Sequence, residues 1–309
     1  MGAGVVVDID FRGIGEMKFV ARLVALAPLF VLALFGQSSN PNNNPIQLAL
    51  LRWYSANTVT QFSTCPAPQG LAFDGAHMWV ANGGDNTVTK LRASDGATLG
   101  VFVVGMNPCS VAFDGANIWV ANAGSNTLSE LQATNGAVVG TYPAGPPGAP
   151  YAQGLAFDGA NLWVGNSDGN LAPGSVSKIR ANDGVLLGTF AVGTAPIGVA
   201  FDGANIWVAN SWDGTVTKLA SNGAVVGTYS VGGPSANAGG IAFDGTYIWV
   251  SNQTPSTATK LSASTGAIVG VFQLGPSTNT PFGVAFDGAN IWIGYGQGSH
   301  LPAAGVYKL

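Results

Sequence analysis

Short apolar runs separated by small polar punctuation fill the chain from Leu71 to its end. In one stretch, "SVAFD" (110–114) is followed by "GAN", "IWVAN" (118–122), "AGSN", "TLSEL" (127–131), "ATNG" and "AVVGTYPAG" (137–145). Runs this short, bounded by glycine with Asp, Asn or Ser, predict four strands joined by tight turns. Those residues accept positive φ or hydrogen-bond their own backbone. The first two runs are apolar on both faces rather than alternating, as in a sheet covered on both sides.

The pattern is periodic. "FDGANIWVAN" occupies residues 113–122 and returns letter for letter at 201–210. The Asp-Gly pairs at Asp74, Asp114, Asp158, Asp202, Asp244 and Asp287 are spaced by 40, 44, 44, 42 and 43 residues. A period near forty built of four strands is the signature of a β-propeller blade. The chain is therefore expected to be all-β: a six-bladed propeller over residues 57–309, four antiparallel strands per blade. The last unit stops at "GVYKL" (305–309), its third strand. "NTVTQFS" (57–63) has fourth-strand character and aligns with "ATLGVFV" (97–103). It is expected to complete the last blade, closing the ring and removing its exposed edges.

Within each unit the first strand alternates small with large, as Gly70 and Ala72 against Leu71 and Phe73. The small face leaves room for Trp79, Trp119, Trp163, Trp207, Trp249 and Trp292 between blades, each burying roughly 150–250 Å². Lys90, Glu130, Lys178, Lys218, Lys260 and Lys308 recur on third strands. They are expected at the perimeter, stems along apolar surface and charged ends in water.

Composition narrows the class. Of 309 residues 47% are hydrophobic, 8% charged and 45 are glycine, which suits close packing and excludes a disordered chain. A net charge of −4 offers no basic stripe for nucleic acid. The N-terminus differs in kind. "MKFVAR" begins at Met17, thirteen mostly apolar residues run from Leu23 to Phe35, and "GQSSN" follows. This is the order of a secretory signal peptide (17–38), leaving 1–16 upstream of the true start and 39–56 as a linker. An uncleaved anchor is the alternative, although thirteen apolar residues are short for a span. Export places the chain in the periplasm, at the cell surface or outside the cell. Such compartments permit a Cys65–Cys109 disulfide, with free or buried thiols as the alternative.

"PCSVAFDGANIWVANAGSNTLSELQATNGAVVGTYPAG" resembles the YVTN-type propeller repeats of bacterial and archaeal surface proteins, with "IWVANAGSNTLS" carrying the likeness. It is similar, more distantly, to NHL-type repeats and to the repeats of the virginiamycin B lyase family. The resemblance covers about residues 57–309 and implies the fold; these families share packing residues while their functions diverge.

Candidate chemistry is expected on the face carrying the loops between blades and those between second and third strands, where the chain departs from its repeat. Trp212 in "NSWDGT" stands outside the regular tryptophan set. Tyr151, Phe282, Tyr295 and His300 are expected on the same face, an aromatic and polar mixture suited to a glycan or peptide, or to covering blade ends. Asn82, Asn122, Asn166, Asn210 and Asn252 end second strands, where their amides could bind a ligand or satisfy the following turn. The "FDG" aspartates lie at the opposite end and are read as turn caps. Asp85, Asp168 and Asp213 are candidate oxygen ligands for Ca²⁺. The sequence shows no P-loop, dinucleotide fingerprint or zinc cluster. The reading is a non-catalytic, monomeric binding or display module. The alternative is a metal-assisted lyase or lactonase, and the resemblance implies that such an enzyme would need His or Glu near a metal. Past the signal only Glu130, His77 and His300 are available.

Overall fold

The computed structural model describes residues 64–65, 67–148, 151–167, 173–233, 236–276, 279–297 and 305–309. Residues Phe62–Leu309 form a compact unit of their own. The upstream region, the signal and linker segments, and the ring-closing strand expected at 57–63 all lie outside the described residues.

The described residues form 23 strands in six antiparallel sheets. Blade 1 comprises β1 (Pro68–Phe73), β2 (His77–Asn82), β3 (Thr87–Arg92) and β4 (Thr98–Val103). Blade 2 comprises β5 (Pro108–Phe113), β6 (Asn117–Asn122), β7 (Thr127–Gln132) and β8 (Val138–Pro143). Blade 3 follows with β9 (Tyr151–Phe157), β10 (Asn161–Ser167), β11 (Pro173–Arg180) and β12 (Leu186–Thr194). Blade 4 is β13 (Pro196–Phe201), β14 (Asn205–Asn210), β15 (Thr215–Ala220) and β16 (Val225–Ser230). Blade 5 is β17 (Ala238–Phe243), β18 (Tyr247–Asn252), β19 (Thr257–Ser262) and β20 (Ile268–Gln273). Blade 6 has β21 (Asn279–Phe286), β22 (Ile291–Gln297) and β23 (Gly305–Lys308). Each sheet runs in chain order from the first strand outward, and first strands of successive blades pack against one another from β1 to β21.

That inner approach depends on glycine. A Cβ on Gly154 would overlap the Ile197 carbonyl in the next blade, and one on Gly198 would meet the Gly239 carbonyl at 2.5 Å. Only a residue without a side chain lets first strands converge this closely.

The tryptophans fill the space between blades as the small-and-large alternation predicts. Each faces an alanine across its own sheet, as Trp79 faces Ala72 and Trp207 faces Ala200. Each of five then packs into the next blade: Trp79 with Val111, Ile118 and Leu131, and Trp163 with Val199, Ile206 and Leu219. Trp79, Trp119, Trp163 and Trp207 are fully buried. A fourth-strand aromatic tilts against each, with centroids 5.2–5.7 Å apart in the pairs with Phe102, Tyr142, Phe190, Tyr229 and Phe272. Such pairs contribute about 0.5–1.5 kcal/mol beyond area burial.

Of the third-strand cations, Lys90 and Lys218 are buried and Lys178 and Lys260 half-buried, which corrects the perimeter reading for these four, whereas Lys308 is exposed. Lys90 and Lys218 are 5% exposed and Glu130 is 6% exposed. The ammonium groups of Lys90, Lys178, Lys218 and Lys260 lie 4.8–5.1 Å from the centroid of the tryptophan opposite in the sheet. From there Lys90 donates to Ala133 O at 2.7 Å, Lys178 to Ser221 O and Lys218 to Ala263 O, all in the following blade. The cation satisfies an inter-blade carbonyl while sitting on a π face, an attraction that grows once water is excluded. Glu130 breaks the pattern and instead accepts from Asn117 Nδ2 at 2.7 Å and the Tyr142 hydroxyl at 2.9 Å. Burial raises its pKa above the usual carboxylate value.

Cys65 and Cys109 are both free, so the disulfide is not formed. The Cys109 thiol donates to Ala152 O at 3.2 Å, and burial pushes its pKa up to about 12.

Candidate functional site

The two ends of the sheets differ in chemistry. At the end where first strands finish, every "FDG" aspartate is committed. Asp202 Oδ1 accepts from the backbone N–H of Ala204 and Asn205 at 2.9 and 2.6 Å, closing an Asx turn, while Oδ2 accepts from Trp207 Nε1 at 2.7 Å. Equivalent bonds tie Asp74 to Trp79, Asp114 to Trp119, Asp158 to Trp163, Asp244 to Trp249 and Asp287 to Trp292. At Asp74 partial burial would raise the carboxyl, but the indole and backbone N–H donors outweigh it and hold the group at about 2. Asp158, Asp202 and Asp244 are lowered for the same reasons; Asp287 is lowered chiefly by the Trp292 N–H. The turn-cap reading holds, with one addition: the same carboxylate anchors the inter-blade tryptophan. His77 also lies at this end, its ring 3.0 Å from Asp74 Oδ2.

The opposite end carries the departures from the repeat. Trp212, in the turn between β14 and β15, is 40% exposed, against 0–6% for the five tryptophans of blades 1–5. Its backbone N–H is held by Thr194 O. The neighbouring Asp213 accepts from Thr194 N–H at 2.6 Å, so one oxygen already fixes the turn that presents Trp212. Tyr151 opens β9 at 52% exposure and Phe282 lies near the start of β21 at 49%. Tyr295 pairs across the sheet with Pro281, beside Phe282, and stacks on Tyr307 at 4.5 Å. Phe282 and Tyr295 thus share one corner of blade 6, whereas Tyr151 and Trp212 belong to blades 3 and 4. His300 and Asp168 lie outside the described residues.

Asn82, Asn122, Asn166, Asn210 and Asn252 end second strands as expected and are all fully buried. Their amide nitrogens donate to third-strand hydroxyls, for example Asn82 to Thr89 at 2.9 Å and Asn166 to Ser177 at 2.7 Å. Asn210 Oδ1 accepts from Gly193 N–H near the end of β12 in blade 3. The carbonyls of Asn82, Asn122, Asn166 and Asn252 have no hydrogen-bond partner among the described residues. Asp85 is exposed in blade 1, away from Asp213 in blade 4, and no three His, Cys, Asp or Glu converge among the described residues. Sequence reasoning did not single out Met106, 57% exposed in the connection before β5. The signal was there: "VGMNP" places a large residue where "VGTAP" (192–196) has Thr194.

This fold, with a packed set of tryptophans and a loop end of irregular aromatics, defines a six-bladed β-propeller. Solved structures similar to it are propellers as well. Hydrazine synthase from Kuenenia stuttgartiensis matches at 20% identity with a TM-score of 0.65, covering 77% of this chain and 76% of that one. A catalytically inactive virginiamycin B lyase from Staphylococcus aureus, with quinupristin, matches at 15% identity and a TM-score of 0.64 over 81% and 86%. BamB from Moraxella catarrhalis matches at 14% identity and a TM-score of 0.53 over 72% and 68%. No family model and no curated protein matches the chain. Among the described residues no helix is long and apolar enough to cross a membrane.

Proposed function

We propose that this chain is an exported, non-catalytic propeller that binds a glycan or a peptide at its loop end, through Trp212 with Tyr151, Phe282 and Tyr295. The observation that carries the reading is Trp212. It is 40% exposed, whereas the tryptophans of blades 1–5 are built into the core, and Asp213 pins its turn to Thr194 at the end of β12. A rigid, exposed indole supplies a stacking face at low entropic cost. Export rests on the charged, apolar and small-residue order of residues 17–38, and the YVTN-type repeat is consistent with a surface location. Asp85, Asp168 and Asp213, in three different blades, would each offer one carboxylate to a structural Ca²⁺.

The test is retention on glycan and peptide arrays. Trp212→Ala and Tyr151→Ala should lose ligand while melting within about 2 °C of the parent, as exposed residues do. Retention unchanged in both would overturn the assignment. The shared fold of virginiamycin B lyase supports a second reading, metal-assisted elimination. Mass-spectrometric detection of quinupristin turnover, lost in His300→Ala, would establish it instead.

A further inference from the structure

Charge separates the two ends of the propeller. Every Lys and Arg of residues 57–309 lies on a third strand, from Lys90 and Arg92 in blade 1 to Lys308 in blade 6. These cations serve the end of the "FDG" turns: Lys90 sits on Trp79, itself tied to Asp74, and Arg92 pairs with Asp95 at 2.9 Å. The loop sequences of the opposite end hold the carboxylates Asp85, Asp168 and Asp213 and, for basic groups, His300 alone, which is mostly neutral at about pH 8. A uronic acid, a phosphate or an acidic peptide would meet like charge there and no cation to pair with.

The main chain at this end is already engaged. In blade 2 the turn N–H groups of Ala123 and Gly124 donate to Asn107 O and Met106 O, both at 2.9 Å. In blade 4 Ser211 and Trp212 donate to Ala195 O and Thr194 O at 2.9 and 3.4 Å, and in blade 5 Gln253 donates to Asn237 O at 3.3 Å. Side chains complete the lacing in the other direction: Met106 N–H donates to Ser125 Oγ at 3.2 Å and Thr194 N–H to Asp213 Oδ2 at 2.6 Å. A peptide that adds as a strand draws its affinity from a free row of backbone N–H and C=O groups. Here those groups tie each connection to the turn beside it.

Recognition at this end therefore falls to side chains. Trp212 takes the place held by Gly84, Gly124 and Thr254 in blades 1, 2 and 5, so blade 4 sets a broad ring on a frame that is otherwise small at this position. The polar side chains exposed at the same end are uncharged amides and hydroxyls, among them Gln69, Asn107, Ser125 and Thr254. A pyranose ring presents an apolar C–H face to an indole and hydroxyls to such groups, and it needs neither a cation nor a strand edge.

We propose that the ligand of the loop end is a neutral oligosaccharide, one of its pyranose rings stacked on Trp212. The proposal rests on the reading of Trp212 as a binding platform and names what that platform takes: an uncharged glycan, in preference to a peptide or an acidic glycan.

The test is titration calorimetry of the full chain at about pH 8 with cellohexaose, chitohexaose and mannohexaose, with hexagalacturonate, and with an uncharged proline-rich decapeptide. At least one neutral hexasaccharide should bind, with a Kd that changes less than about twofold between about 0.05 and about 1 M NaCl, since no ion pair is there to be screened. Trp212→Ala should weaken that binding by about tenfold or more, and Trp212→Tyr, which keeps a ring, by only a few fold. Hexagalacturonate and the decapeptide should not bind. Binding of hexagalacturonate through Trp212, or of the decapeptide in place of every neutral sugar, would overturn the ligand class and leave the platform standing. No binding by any probe, or a Trp212→Ala variant that binds the neutral sugar as well as the parent, would overturn both.

Discussion

Replacing Asp202 separates the two functions of the repeated aspartate. In Asp202→Asn the oxygen that caps the Asx turn is retained, but an NH₂ group replaces the acceptor 2.7 Å from Trp207 Nε1. Trp207 is fully buried, so its N–H loses an acceptor it cannot replace with water, at a cost of about 1–3 kcal/mol. Asp202→Ala also frees the N–H groups of Ala204 and Asn205, bringing the total to roughly 4 kcal/mol. A domain of this size loses about 2–4 °C of Tm per kcal/mol. Calorimetry should then show losses of about 6 °C for Asn and about 12 °C for Ala, with Val226→Thr, an exposed control in the same blade, within about 2 °C of the parent. If Asp202→Asn melts with the control, the indole bond contributes nothing and the anchoring argument is wrong.

Four further outcomes follow from the same packing. Asp74, Asp158, Asp202, Asp244 and Asp287 all have lowered pKa values, so the unfolded chain binds more protons over that range; their contribution is complete above the ordinary value of 3.8 and is lost as pH falls below it, for Asp74 through about 2, which acid unfolding curves will show. Glu130 has the opposite sign: burial raises its pKa, so its ionisation costs stability above the ordinary value of 4.5, and Glu130→Gln should be more stable than the parent at pH 7 but not at pH 4. Lys218→Met should cost about 1–3 kcal/mol in chemical denaturation, because the Ala263 carbonyl loses its donor and Trp207 its cation. Gly154→Ala should lower Tm by several degrees through overlap with the Ile197 carbonyl, whereas Gly159→Asn, at a positive φ with open space around it, should be far milder.

The blade was legible because packing rewards the same residue at the same place in every copy. Trp79 against Ala72 and the Asp74 turn could be read from spacing alone. The lysines could not. Lys90 on a third strand looks like a solvated edge residue until the next blade's Ala133 carbonyl is placed within its reach, and that contact spans 43 residues. Cys65 and Cys109 show the same limit, since pairing depends on distance and not on compartment. At the loop end, Trp212 was visible as a departure from the repeat. Whether Tyr151 and Phe282 were exposed or covered depended on how six connections fold over the blade ends, which no single unit encodes. The asparagines recur like packing residues, and the structure buries them like packing residues.

Hydroxyl-radical footprinting of the full chain, with and without a mixed glycan and peptide pool, tests the binding reading most directly. Free protein should be oxidised at Trp212, Tyr151 and Phe282 and spared at Trp79, Trp119, Trp163 and Trp207; the pool should protect the first three and leave the others unchanged. Equal oxidation of Trp212, Tyr151 and Phe282 with and without the pool would contradict a ligand site at this end of the propeller.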